Sequence, residues 1–107
     1  MKTAVQITVY LNEADRWHHK PLHAEILRML RDEGVAGASA LHAVAGFNGR
    51  QALQTSRLVD VGGDLPIVLV FVDFAEHVER VLPKLFEMAP HRLIVRENVT
   101  IEQGNLE

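Results

Sequence analysis

The chain of 107 residues has no cysteine and only one tryptophan and one tyrosine. Without cysteine there is no disulfide, no thiolate metal site and no cysteine nucleophile, and nothing calls for an oxidising compartment, so the cytoplasm is the expected location. Positive charge is scarce as well. Lys and Arg number 11 against 14 Asp and Glu, a formal net charge of −3, which gives no general reason to expect nucleic acid or an anionic membrane surface as partner. Any anion site must be local. No apolar run approaches the roughly 20 residues that span a bilayer, and the N-terminal Met1-Lys2-Thr3-Ala4-Val5-Gln6 lacks the apolar core of a signal peptide. Internal repeats and low-complexity tracts are also missing. What remains, 48% hydrophobic and 23% charged, is the composition of a globular protein, and the length predicts one domain over residues 1–107 with a modest core.

The most informative stretch is Ile67-Val68-Leu69-Val70-Phe71-Val72. Both of its alternating sets are apolar, which predicts a central strand buried on both faces. Thr3 to Leu11 predicts another strand, with Val5, Ile7, Val9 and Leu11 on one side. Asn12 to Lys20 is polar apart from Ala14 and Trp17 and reads as a loop. Pro21 suits the first turn of a helix that carries Leu22, Ile26, Met29 and Leu30 at helical spacing and stops at Gly34. Ala38 to Ala45 predicts a small-residue strand, followed by a long connection from Gly46 to Asp64; such connections are usually functional or mobile. Asp73 and Glu76 have the spacing of a capping box for a second helix with a Val78, Val81, Leu82, Leu85 and Met88 stripe. Pro83 within it predicts a kink or restart. Arg92 to Val99 is the last strand, with residues 99–101 able to prolong it.

Strand, helix, strand, strand, helix, strand is the order of a ferredoxin-like α+β fold, the split βαβ arrangement: a four-stranded antiparallel sheet with both helices on one face. The first and third strands are then central. Because the third is apolar on the uncovered face too, that face is expected to be covered by another copy of the protein.

Two groups of residues carry possible chemistry. Gly46, Phe47, Gly49 and Arg50, with Thr55 and Arg57, have the makings of an anion pocket, since glycines let backbone amides approach an anion and arginine offers a bidentate fork; a solvated hairpin loop with surface arginines is the plainer reading. His18, His19 and His23 are the densest imidazole cluster, suited to zinc, nickel or copper, with Asp15 and Glu25 nearby; ordinary surface histidines beside Trp17 are the plainer reading here, and no metal site is expected. His42 reads as a hydrogen-bonded core or interface histidine. Ser39, Thr55 and Ser56 have no recognisable base, so the chain is not expected to be an enzyme.

The segments Tyr10-Leu11-Asn12-Glu13, Lys20-Pro21-Leu22, Asp32-Glu33-Gly34-Val35-Ala36-Gly37-Ala38, Ala45-Gly46-Phe47, Asp64-Leu65-Pro66-Ile67-Val68 and Leu82-Pro83-Lys84-Leu85 resemble, in order and spacing, the DUF190 family of PII-like proteins. The resemblance implies a homotrimer that acts in signalling. It would bind a small anionic effector, with nucleotides among the candidates, in clefts between subunits. The long loop would contact a protein partner, a membrane transporter or channel being among those the family's gene associations suggest. The chain departs from the family pattern at Asn48, at His42-Ala43 and at Gln54. It also has Ala89-Pro90-His91 where PII proteins carry a glycine-rich ATP loop, and no tyrosine between Gly46 and Asp64 to be modified. ATP, 2-oxoglutarate and uridylylation are therefore not carried over, and the effector stays unnamed. A histidine-based metal protein or enzyme, and an interaction module without ligand, are the rival readings. Zinc titrated by calorimetry is expected to bind weakly and equally well after His19→Ala with His23→Ala; submicromolar binding abolished by that pair would reverse the order.

Overall fold

The computed structural model describes residues 2–47 and 65–106, and the antiparallel sheet expected from the sequence forms its centre. β1 (Lys2–Asn12), β4 (Ala38–His42), β5 (Pro66–Asp73) and β6 (Leu93–Ile101) lie in the order β4-β5-β1-β6. β1 and β5 are the central pair, in register from Val5 opposite Asp73 to Asn12 opposite Pro66. β4 and β6 are the edges. Two helices, α1 (Leu22–Asp32) and α2 (Ala75–Met88), complete the α+β fold. Val5, Ile7, Val9 and Leu11 of β1, with Ile67, Leu69 and Phe71 of β5, form one core with Leu22, Ile26 and Leu30 of α1 and Val78, Val81, Leu82 and Leu85 of α2. Burying each such aliphatic side chain contributes roughly 1.5–3 kcal/mol.

The opposite sheet face has no such cover among the described residues. Val68, Val70 and Val72 are half-buried there, flanked by Gln6 and Tyr10 of β1. At the two edges, Leu41 and Leu93 are 58% and 63% exposed. The face is largely apolar and runs across all four strands.

Several boundaries differ from expectation for local reasons. The polar Asn12 to Lys20 segment contains a small hairpin, β2 (Arg16–Trp17) against β3 (Lys20–Pro21), turned by His18 and His19 at φ 49° and 70°. Pro21 pairs in this ribbon with ψ 125°, outside the helical range, so α1 starts one residue later than predicted. At its other end α1 stops as expected: Gly34 has φ 87°, its N–H donates to the Arg31 carbonyl and that of Val35 to the Leu30 carbonyl, a Schellman closure. β4 ends at His42 rather than Ala45, because its partner β5 begins at Pro66 and offers one last carbonyl, to the Ala43 N–H. β6 runs on to Ile101, pairing with Lys2.

The capping box does not form. Asp73 is still the last residue of β5, opposite Val5, and its buried side chain accepts from the adjacent Phe74 N–H at 2.7 Å instead of reaching into the helix. Nor does the helix restart at Pro83; α2 is one helix from Ala75 to Met88. One turn along it, His77 takes over as the local tie. Its Nδ1 lies 2.7 Å from Asp73 Oδ2 and its Nε2 lies 2.8 Å from the Glu33 carbonyl oxygen, which caps α1. Both nitrogens lie against oxygen atoms, and the ring joins the end of β5, the start of α2 and the end of α1. Asp73 Oδ2 is buried without a well-directed hydrogen bond among the described residues, and the His77 ring is the polar group set against it. His77→Ala is expected to destabilise the protein by about 1–3 kcal/mol in urea unfolding, because it strands that buried carboxylate oxygen. A loss within about 0.5 kcal/mol, the level of an ordinary surface substitution, would show that the ring is not a tie.

Candidate functional site at the strand ends

Because β5 runs antiparallel between β1 and β4, the C-terminal ends of those two strands meet beside its start, with Asn12 opposite Pro66 and His42 opposite Ile67. The connection of residues 48–64 leaves and returns at this same place. Glu13, the first residue past β1, holds it. Its N–H donates to the Leu65 carbonyl at 2.9 Å, its Oε1 accepts from the Leu65 N–H at 3.2 Å, and its Oε2 lies 3.2 Å from His42 Nε2. One carboxylate thus ties the strand that leads into the connection to the residue that leads out of it. The Leu65 N–H, and after it the neighbouring His42 and His23 rings, hold the Glu13 carboxyl below its ordinary range.

Other side chains converge on this end of the sheet. The His23 ring, in the first turn of α1, meets His42 edge to face with centroids 6.2 Å apart, and its Nδ1 is buried with no hydrogen-bond partner among the described residues. Asp15 accepts from the Asn12 N–H at 2.8 Å and forms a two-point pair with Arg92, Nε to Oδ2 at 3.0 Å and the second guanidinium nitrogen to Oδ1 at 2.8 Å. Asp15 raises the Arg92 pKa, and the pair clips the turn after β1 to the residue before β6. Arg92 is therefore a structural clip.

Gly46 and Phe47 lie at the entry to the connection. Gly46 has φ 146°, where a side chain would be strained, so a glycine is required to turn the chain out of the sheet. Phe47 is 68% exposed and Val44 93%, which continues the apolar edge begun by Leu41. Gly49, Arg50, Thr55 and Arg57 fall outside the described residues. The histidine cluster is not gathered at one point. His18 and His19 form the hairpin tip, with the His18 ring stacked on Trp17 at 4.3 Å, whereas His23 faces His42 on a different strand. Among the described residues no three His, Asp or Glu side chains are placed to hold a metal ion. His42 is hydrogen-bonded, as expected, to Glu13, and in the single chain it is exposed rather than in the core. Sequence reasoning missed Glu13 and His77. Only the register of β1 on β5 brings Glu13 to Leu65, and nothing local in the sequence signals it.

The family model DUF190, described as "Uncharacterized ACR, COG1993", matches residues 4–101. The chain belongs to this family. A UPF0166 protein of Methanocaldococcus jannaschii is 29% identical over 99 residues, which is 92% of this chain and 91% of that protein. Among solved structures, CutA from Xylella fastidiosa superposes with a TM-score of 0.59 at 19% identity, covering 95% of this chain and 86% of CutA. CPII from Thiomonas intermedia K12, solved bound to ADP, AMP and acetate, superposes with a TM-score of 0.58 at 16% identity, covering 95% of this chain and 91% of CPII. At those identities the likeness is one of fold. This DUF190 member therefore has the PII-like version of the ferredoxin-like fold, and no helix among its described residues is long and apolar enough to cross a membrane.

The depressed Glu13 pKa fixes the sign of a pH effect. The anchor is in place above the ordinary carboxylate range and is lost as the pH falls through the lower folded value. The hydrogen-exchange protection of the Leu65 amide should accordingly fall in acid, and Glu13→Gln should remove much of it already at neutral pH while global melting changes little. Unchanged protection in the variant would show that Glu13 does not hold the connection.

Proposed function

We propose that this DUF190 protein is a PII-like regulatory protein of the cytoplasm that binds and reports rather than catalyses. Its single domain, residues 1–107, assembles as a homotrimer through the open sheet face. A small anionic effector, with nucleotides the leading class, binds between subunits and changes the connection that Glu13 anchors, which in turn contacts a protein partner such as a membrane transporter or channel. The observation that carries the reading is the apolar second face of the sheet. Val68, Val70 and Val72 lie half-buried across it, with Leu41 and Leu93 exposed at its edges. Leaving such side chains in water forgoes roughly 1.5–3 kcal/mol for each one a partner would bury fully, and self-association recovers it. The apolar edge continues through Val44 to Phe47 and so to the mouth of the connection, where a cleft between copies would open.

In this reading Gly46, Phe47, Gly49, Arg50, Thr55 and Arg57 form the effector site: glycine amides and a threonine hydroxyl donate to the anion, and the arginines supply forked charge-assisted bonds. The adenine nucleotides bound by CPII, a neighbour in fold, make ADP and AMP the first probes. The protein should have the mass of a trimer at micromolar concentration, and Val70→Asp should dissociate it, because a buried unpaired carboxylate costs more than the face can return. A folded monomer of the natural sequence would sink the assembly and the intersubunit site together. Arg50→Ala with Arg57→Ala should leave the trimer and its melting temperature nearly unchanged while the stabilisation by ADP or AMP is lost. If the double variant fails to assemble, the arginines are structural and the site lies elsewhere.

A further inference from the structure

On the helical side of the molecule, opposite the open sheet face, α1 and α2 enclose a groove of about 350 Å3. Its floor is Trp17 of the small hairpin, Met29 of α1 and Met88 of α2, all half-buried and packed against the core from outside. Its walls follow from helical periodicity. Glu25, Arg28, Met29 and Asp32 of α1 and its capping residue Glu33 recur at intervals of three and four, and Lys84, Glu87 and Met88 do so on α2, so one stripe of each helix faces the groove. The charges do not cancel. Arg28 pairs with Glu25 at 3.5 Å and Lys84 with Glu33, which lowers the Glu33 pKa and raises that of Lys84. Glu87 then has no ion pair among the described residues, and Asp32 has only its chain neighbour Arg31 at the 4.0 Å limit of contact. Both are exposed.

The structure assigns this groove, we infer, to a basic amphipathic helix of a partner protein. A channel between two helices with an apolar floor and charged walls is a shape into which a third helix lays an apolar stripe flanked by charges. Methionine suits such a floor, because its unbranched, polarisable side chain repacks around different anchors, and tryptophan adds a flat surface that stacks on aliphatic or cationic groups. The rim selects charge. With four carboxylates against two cations, lysines or arginines flanking the apolar stripe of the incoming helix meet Asp32 and Glu87 without displacing the Glu25–Arg28 or Glu33–Lys84 pair, whereas an acidic helix of the same apolar content meets repulsion. The groove lies within one chain, so this assignment stands apart from the assembly reading and from the effector site.

The protein carries its own reporter, since Trp17 is its one tryptophan and lies on the groove floor. The probe is a synthetic amphipathic helix of leucine and lysine, titrated into the full chain while tryptophan emission is followed. A matched leucine and glutamate helix and unstructured polylysine serve as comparisons. The leucine–lysine helix should give a saturable change in emission that neither comparison reproduces, and Asp32→Lys with Glu87→Lys should weaken it about tenfold or more. Should the charge reversal perturb folding, Asp32→Asn with Glu87→Gln makes the same comparison with neutral side chains and should weaken binding in the same direction. An equal response to polylysine would reduce the groove to a diffuse negative surface. Binding that neither double variant weakens, or no response to the leucine–lysine helix at all, would overturn the assignment.

Discussion

Two helices can cover one face of a four-stranded sheet, and the rest of this molecule depends on that limit. Residues 67–72 are apolar on both faces, yet α1 and α2 pack only against the side carrying Ile67, Leu69 and Phe71. The other side keeps Val68, Val70 and Val72 half in water. For a chain of 107 residues, whose own core supplies modest stability, an open apolar sheet face is burial that the single chain does not recover. It also divides the molecule. The helices cover the side that holds the core, and the other side stays open among the described residues.

The strand order places the exit of the long connection at the junction of β1, β4 and β5. There Glu13 binds Leu65 through backbone and side chain and touches His42. The two ends of the connection are thereby held to one carboxylate. Asp15 and Arg92 perform a similar service a short distance away, and His77 does so at the other end of the sheet between Asp73 and the last turn of α1. Each tie joins elements that are distant in sequence through a charged or imidazole side chain, so each is sensitive to substitution in a way that the aliphatic core is not.

Legibility in the sequence followed periodicity. Strong alternation in Thr3–Leu11 and double-sided alternation in Ile67–Val72 predict the two central strands, and the three-and-four spacing of Leu22, Ile26 and Leu30 and of Val78, Val81 and Leu85 predicts the helices that cover them. Gly34 stops α1 as its conformational freedom allows. The misreadings cluster where polar residues had a choice of partner. Asp73 and Glu76 carry the spacing of a capping box, yet the strand holds Asp73 in register with Val5 and His77 takes its carboxylate. His18, His19 and His23 are neighbours in sequence but are parted by a reversal of the chain at the first two. The pairing of Glu13 with Leu65 spans 52 residues and has no local signature.

By itself, then, the sequence determined the elements, their order, the α+β ferredoxin-like architecture and the apolar excess of the third strand, because burial is decided by patterns of side chains along a single strand or helix. Its runs of family-like residues also pointed to DUF190, the family whose model matches residues 4–101. Only the tertiary structure decided which carboxylate holds the connection, which histidine ties the helices together, and that Trp17, Met29 and Met88 share one groove floor. The physical reason is reach. A hydrogen bond or an ion pair acts over about 3–4 Å, and which polar groups come that close is set by strand register and helix packing, neither of which is written in any one stretch of the chain.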